Sequence, residues 1–281
     1  MIHSERDLVH KNEKRYFMIA LLVSLLTYIG LFLSIVGIIY AAIFISISMF
    51  LHALSLASIR LNGVRLNEEQ FPHVYEKVKE LCTKMEMSSV PDVYVVESSG
   101  ILNAFATRFF GRNMVVLYSE LFELMNEGSE EELTFVIAHE LAHIKRRHIS
   151  KQFLVLPAMW IPGITQAYSR ACEFTCDRYA AYYTQNSEAA KKALTIFGVG
   201  KRLFEFINRN SYLNQVQQEH GLFIWLSEKL STHPPLPKRI REISNFMQDH
   251  EQEPLPSSKS WIIFPTLLLV LFLVIGGAIQ Y

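Results

Sequence analysis

From Tyr16 to Ile59 the chain carries no Asp, Glu, Lys or Arg, an uncharged run of 44 residues. One bilayer crossing needs about 20 apolar residues, and a single straight helix over this run would be roughly twice too long at ~1.5 Å per residue. The run therefore reads as a hairpin of two membrane spans, residues 16–59, turning near Gly37, where a residue without Cβ relaxes the backbone. Gly30 is the other candidate for the turn. A cleavable signal peptide, whose apolar region covers only about 7–15 residues, does not match a run of this length. A further apolar segment, Trp261 to Tyr281, is long enough for one more crossing and has an aromatic residue at each end, where interfacial rings sit.

The charges beside these segments predict their orientation. Lys11, Lys14 and Arg15 precede the hairpin, Arg60 and Arg65 follow it, and Lys259 precedes the last span, whereas nothing basic follows Trp261. The positive-inside rule then places the N-terminal segment 1–15 and the region 60–260 in the cytoplasm. The expected organisation is an integral protein of the cell membrane with a cytoplasmic segment 1–15, a transmembrane hairpin 16–59, a cytoplasmic domain 60–260 and a C-terminal span 261–281. A shorter apolar patch, Phe153 to Tyr168, is interrupted by Pro157, Pro162 and Gly163 and cannot cross alone. It is expected to lie at the membrane surface or to form a lid.

Basic and acidic residues number 27 each, so no net field draws the chain to nucleic acid. The three cysteines, Cys82, Cys172 and Cys176, form no disulfide framework and suit a reducing compartment. Cys172 and Cys176, one helical turn apart, read as small buried side chains.

Region 60–260 is about 200 residues long, enough for one well-buried core. Val74, Val78, Leu81 and Met85 have the spacing of an amphipathic helix, "PDVYVVE" and "NMVVLYS" read as strands, and only helices are expected from Ala171 onward. Few strands grouped before many helices indicate an α+β fold, mainly helical with a small β-sheet.

A helix is expected to begin at Ser129, with Glu132 completing a capping box, and to run into "VIAHELAHIKRRH", Val136 to His148. On it His139 and His143 stack on one face, with Glu140 beside them and Ile137, Leu141 and Ile144 facing the core. Two imidazoles at this spacing can hold one zinc, and the glutamate can reach water at the open position. That combination suits peptide hydrolysis, since the metal acidifies water and polarises the carbonyl while the carboxylate moves the proton.

For a third protein ligand the candidates are His148, Glu173 and more distant histidines. At 100° per residue His148 falls on the far side of the helix from His139, so it is expected with Arg146 and Arg147 in a solvated basic end. Glu173 opens "EFTCD", with Asp177 one turn later on the same face. A carboxylate ligand and an outer acid that orients a ligand histidine would fill the remaining roles. The competing reading pairs Glu173 or Asp177 with Arg170 or Arg178.

Four stretches, "NAFA" at Asn103–Ala106, "HELAH" at His139–His143, "EFTCD" at Glu173–Asp177 and "STHPPLPKRI" at Ser231–Ile240, resemble the membrane-bound zinc endopeptidases related to HtpX and to the CAAX prenyl protease type 1, which belong to the gluzincins. The resemblance implies a gluzincin-like peptidase domain with one Zn2+ per chain. It implies that His139, His143 and Glu173 bind the metal, that Glu140 is the general base and that Asp177 orients a ligand histidine. It suggests that His233 stabilises the oxyanion and that Arg239 holds its loop through an acidic partner. It also sets Asn103, Ala104 and Phe105 beside the cleft, with the following strand Asn113–Tyr118 as the sheet edge to which an extended substrate adds. Expected partners are protein or peptide substrates and the lipid bilayer. A prenyl-protein protease, or a membrane scaffold that keeps the fold without activity, are the alternative functions.

Overall fold

The computed structural model of the protein describes residues 5–126 and 130–247. The capping serine expected at Ser129 and the C-terminal span 261–281 lie outside the described residues. In chain order come α1 (Glu5–Leu8), α2 (Lys11–Phe32), α3 (Ile35–Asn62), β1 (Val64–Arg65), α4 (Pro72–Lys84), β2 (Asp92–Val96), β3 (Ala104–Phe109), β4 (Arg112–Tyr118) and α5 (Ser119–Asn126). There follow α6 (Glu130–Lys145), α7 (His148–Leu154), α8 (Ile164–Thr184), α9 (Ser187–Val199), α10 (Arg209–Gln218), α11 (Leu222–Leu230) and α12 (Leu236–Phe246). Short 3₁₀ turns occupy Leu156–Trp160 and Phe204–Phe206. The protein is thus mainly helical with one small mixed sheet.

Helices α2 and α3 are long and apolar enough to cross a membrane. The chain turns between them at Leu33–Ser34 rather than at Gly37. The reason is local capping: Ser34 is extended, and its hydroxyl accepts the Gly37 N–H at 3.0 Å, which starts α3 and places Gly37 inside its first turn. Gly30 lies within α2. Along the hairpin, side chains such as Leu22, Phe32, Phe44 and Phe50 are exposed although apolar. The first turns of α2 differ, because Ala20 is buried against Val155, Ala158, Tyr168 and Cys172. The expected surface patch Phe153–Tyr168 therefore runs along α2, where Trp160 Nε1 donates to Thr27 Oγ1 at 2.8 Å, while Phe153, Leu154 and Met159 stay exposed.

The sheet has the order β1-β2-β4-β3. Strand β4 pairs in parallel with β2 and antiparallel with β3, in the register Ala104↔Leu117 through Phe109↔Arg112. Asn113–Tyr118 is therefore an interior strand, and the expectation that it forms the edge is corrected. Its composition gives the physical reason: Val115 and Leu117 enter the main core, while Met114 and Val116 pack with Leu56 on the opposite face. A strand buried on both faces reads as a continuous apolar run. The edge strands are β1 and β3, and β3, which flanks β4, has the less apolar sequence "AFATRF".

Helix α6 crosses the core, and Leu133, Phe135, Val136, Ile137, Leu141 and Ala142 are all buried. It is buried on nearly every side rather than on the single face expected, because α8, α9 and the sheet pack around it. Leu117→Ala, at a site with no exposed surface, is expected to cost roughly 2–5 kcal/mol. Leu22→Ala, on the exposed part of α2, should change stability by no more than about 0.5 kcal/mol. Denaturant unfolding of the detergent-solubilised protein checks the contrast, and equal effects would contradict this assignment of the core.

Candidate metal centre

Three acidic residues, Glu130, Glu131 and Glu132, occupy the first turn of α6, where they complement the helix dipole. Two turns on, His139 and His143 stack one above the other, and their Nε2 atoms lie 3.2 Å apart. The carboxylate of Glu173 reaches them from α8, with Oε2 3.5 Å from His139 Nε2 and Oε1 3.4 Å from His143 Nε2. Two imidazole nitrogens and one carboxylate therefore face a common point.

Behind this triplet sits a buried ion pair. Asp177, one turn after Glu173, has no exposed surface and lies 3.0 Å from His139 Nδ1. Arg239 of α12 donates to both Asp177 oxygens, through Nε at 2.8 Å and Nη2 at 2.7 Å. Its Nη1 lies 3.1 Å from Glu173 Oε2. Arg170 and Arg178, the partners in the competing reading, are engaged elsewhere. Arg170 donates to the Lys229 and Ser231 carbonyls at 2.7 and 2.6 Å, and Arg178 pairs with Glu242. Arg239 instead serves the buried acids. Its acidic partners hold α12 against α8.

His148 is corrected most sharply, because it is fully buried instead of solvated. Arg147 adopts a left-handed conformation with φ 54°, which ends α6 at Lys145 and starts α7 at His148. Counting 100° per residue does not survive such a break. The reset turns His148 inward, where its Nδ1 lies 3.3 Å from His143 Nδ1 and 3.5 Å from Cys176 Sγ. Burial holds its imidazole down at about 4, so the ring is neutral. Sequence reasoning missed Glu13 altogether. Set in the first turn of α2, it is buried, accepts from Thr175 Oγ1 at 2.6 Å and pairs with Arg146 at 3.0 Å. The only signal was a lone acid among bases just before the uncharged run.

A cleft of about 440 Å³ opens over the triplet. His139, Glu140, His143 and Glu173 form its floor, Asn103, Ala104 and Phe105 one wall, and Phe135, Leu194, Phe197 and Leu236 an apolar side. Glu140 is 8% exposed. His233 stands at the rim with its side chain 65% exposed and Nε2 3.7 Å from Glu173 Oε1. Its loop is braced locally, since Ser231 Oγ donates to the His233 carbonyl at 2.7 Å while Arg170 holds the Ser231 carbonyl. Asn103 immediately precedes β3, and Ala104 and Phe105 begin it, so an edge strand of the sheet, unpaired on its outer side among the described residues, lines the cleft.

The donor set fits a zinc ion. Glu140, Glu173 and Asp177 are three buried carboxylates, and the buried guanidinium of Arg239 pairs with the last two. A formal excess of two negative charges in a buried site calls for a divalent cation or protons. Cys176 also lies within 4.8 Å of donor atoms of both histidines. Burial pushes its thiol well above the usual range, however, and a thiol must be ionised to ligate. Glu173 is the better fit, since Arg239 and the two histidines hold its carboxyl well below the ordinary range despite burial.

Without metal, a proton does part of the same work. Burial opposes a charged His139, but hydrogen bonds to Asp177 and Glu173 outweigh it and push the ring up to about 10. Stability drawn from a raised value is complete below the unfolded value of ~6.5 and is lost as pH rises through about 10. The melting temperature of the metal-free protein is therefore expected to fall across that window. Zinc-loaded protein should be spared the fall, and superimposable alkaline profiles with and without zinc would contradict the assignment.

Comparisons with known proteins identify the family. The chain is 26% identical to a protease HtpX homolog of Campylobacter concisus over 68% of its own length and 80% of the relative's. It is 26% identical to protease HtpX homolog 2 of Methanosarcina mazei over 87% of its length and 98% of the relative's. Similarity also extends to the plastoglobule-localized metallopeptidase 48 of Arabidopsis thaliana, at 27% identity over 59% of this chain and 54% of that one. The model of peptidase family M48 matches residues 68–164 and 152–247, the stretch that contains both acid-bearing helices and the His233 loop. The chain belongs to peptidase family M48, and within the compared proteins it is similar to HtpX proteases.

Proposed function

We propose that the protein is a zinc-dependent endopeptidase held in a membrane by α2 and α3, cleaving membrane or misfolded proteins that reach its cleft. The observation that carries this reading is the convergence of His139 Nε2, His143 Nε2 and the Glu173 carboxylate within 3.2–3.5 Å of one another beneath a free strand edge. Zinc held by these residues supplies Lewis acidity for the scissile carbonyl and acidifies water.

The chain's own residues do the rest. Glu140 takes the proton of the attacking water and passes it to the leaving amine. Asp177 accepts from His139 Nδ1, which leaves Nε2 free of a proton and fixes the ring plane. Arg239 holds Asp177 and Glu173 in register by spanning both carboxylates. His233 at the rim donates to the developing oxyanion. An extended substrate adds to β3 along Asn103, Ala104 and Phe105, so main-chain hydrogen bonds bind it regardless of sequence. Phe135, Leu194, Phe197 and Leu236 favour an apolar side chain next to the bond that is cut.

Membrane anchoring rests on the two long apolar helices and their exposed apolar side chains, which an aqueous protein would not leave in contact with water. The bases flanking them, Lys11, Lys14, Arg15, Arg60 and Arg65, support a cytoplasmic catalytic domain.

Glu140→Gln is the decisive variant for this reading. It should keep zinc in near-stoichiometric amount and lose roughly 10²–10⁴-fold in casein cleavage, the range of general acid–base contributions. Cleavage at the wild-type rate by Glu140→Gln would refute the proposal.

A further inference from the structure

We propose that Glu13 of the first apolar helix and His148 are positioning residues of the metal centre, acting through a buried His143–His148–Glu13 relay. The inference rests on the reading of His143 Nε2 as a metal ligand. A ligating Nε2 carries no proton, so the neutral ring of His143 must carry its proton on Nδ1. That Nδ1 lies 3.3 Å from Nδ1 of His148. Two Nδ1 atoms can share a hydrogen bond only when one donates and the other accepts. His148 must therefore be the acceptor, and its own proton is driven to Nε2.

Nε2 of His148 is fully buried and has no well-aligned hydrogen-bond partner among the described residues, but Glu13 Oε1 lies 3.4 Å away. The carboxylate is thus placed to favour this tautomer by charge. Glu13 is itself locked in place. Its Oε2 accepts from Thr175 on α8, and its Oε1 faces Arg146 at 3.0 Å and Lys151 at 3.6 Å. The other neighbour of His148 Nδ1 is the thiol of Cys176, a weak donor that competes little with His143. One arrangement of protons is favoured from Glu13 to His143: Nδ1–H on His143 donating to His148, and Nε2–H on His148 facing the Glu13 carboxylate. His139 is oriented by Asp177, and the relay gives His143 its counterpart. The consequence is that α2 is part of the metal site as well as a tether.

The test uses full-length protein in detergent and measures zinc affinity by competition with a chromophoric chelator. His148→Leu is expected to weaken zinc binding by about 10–100-fold, the usual effect of losing an outer partner of a ligand histidine. His148→Asn, which returns an acceptor oxygen close to Nδ1, should recover most of that loss. Glu13→Gln should weaken binding several-fold, and the His148→Leu, Glu13→Gln double variant should bind no more weakly than His148→Leu alone, because both changes interrupt one path. If His148→Leu fails to fold, as judged by thermal unfolding of the metal-free protein, His148→Asn and Glu13→Gln decide the matter. Zinc affinity of Glu13→Gln within twofold of wild type, or equal losses in His148→Asn and His148→Leu, would overturn the inference. Wild type that binds no zinc at all would instead refute the metal-centre reading on which the inference stands.

Discussion

Two buried carboxylates held by one guanidinium set the terms for the rest of the molecule. Asp177 is 0% exposed and Glu173 6%, and Arg239 bridges them from another helix. Buried charges tolerate little misplacement, because removing one partner leaves the others unpaired at a cost of about 3–5 kcal/mol. The bridge therefore locks α12 onto α8, and with α12 comes the loop that carries His233. Asp177 passes the constraint to His139 through Nδ1. The charges that fix the fold here are the same ones that orient the expected ligands.

Helix α8 distributes these roles around its circumference. Glu173 and Asp177 face α6 and α12, Thr175 and Cys176 face the Glu13 and His148 cluster, and Arg170 reaches the carbonyls before His233. At 3.6 residues per turn, adjacent positions must look in different directions. One helix thus connects the cleft floor, the rim loop and the apolar hairpin. The cleft has β3 on one side and the His233 loop on the other.

Much of the site was legible because its chemistry follows helical spacing. His139 and His143 at four residues, and Glu173 and Asp177 at four residues, keep their faces wherever the helices lie, and the structure brings all four together. The strands "PDVYVVE" and "NMVVLYS" and the amphipathic helix around Val78 stand where their periodicity placed them. The misreadings share one cause: local backbone or long-range packing that periodicity does not encode. Arg147 in a left-handed conformation reset the helical count and buried His148. Ser34 capped α3 three residues before the glycine that marked the midpoint of the run. Strand β4 passed for an edge because pairing partners are invisible in one sequence. Glu13 was out of reach for the same reason, since its partner Thr175 is 162 residues away.

The central claim is that two imidazoles and one carboxylate, with no thiolate, hold a single zinc ion. X-ray absorption at the zinc edge of the purified full-length protein tests this most directly. The expected spectrum contains only nitrogen and oxygen scatterers at ~2.0–2.2 Å, with histidine multiple scattering from two rings. A sulfur scatterer at ~2.3 Å would place Cys176 in the coordination sphere and contradict the account.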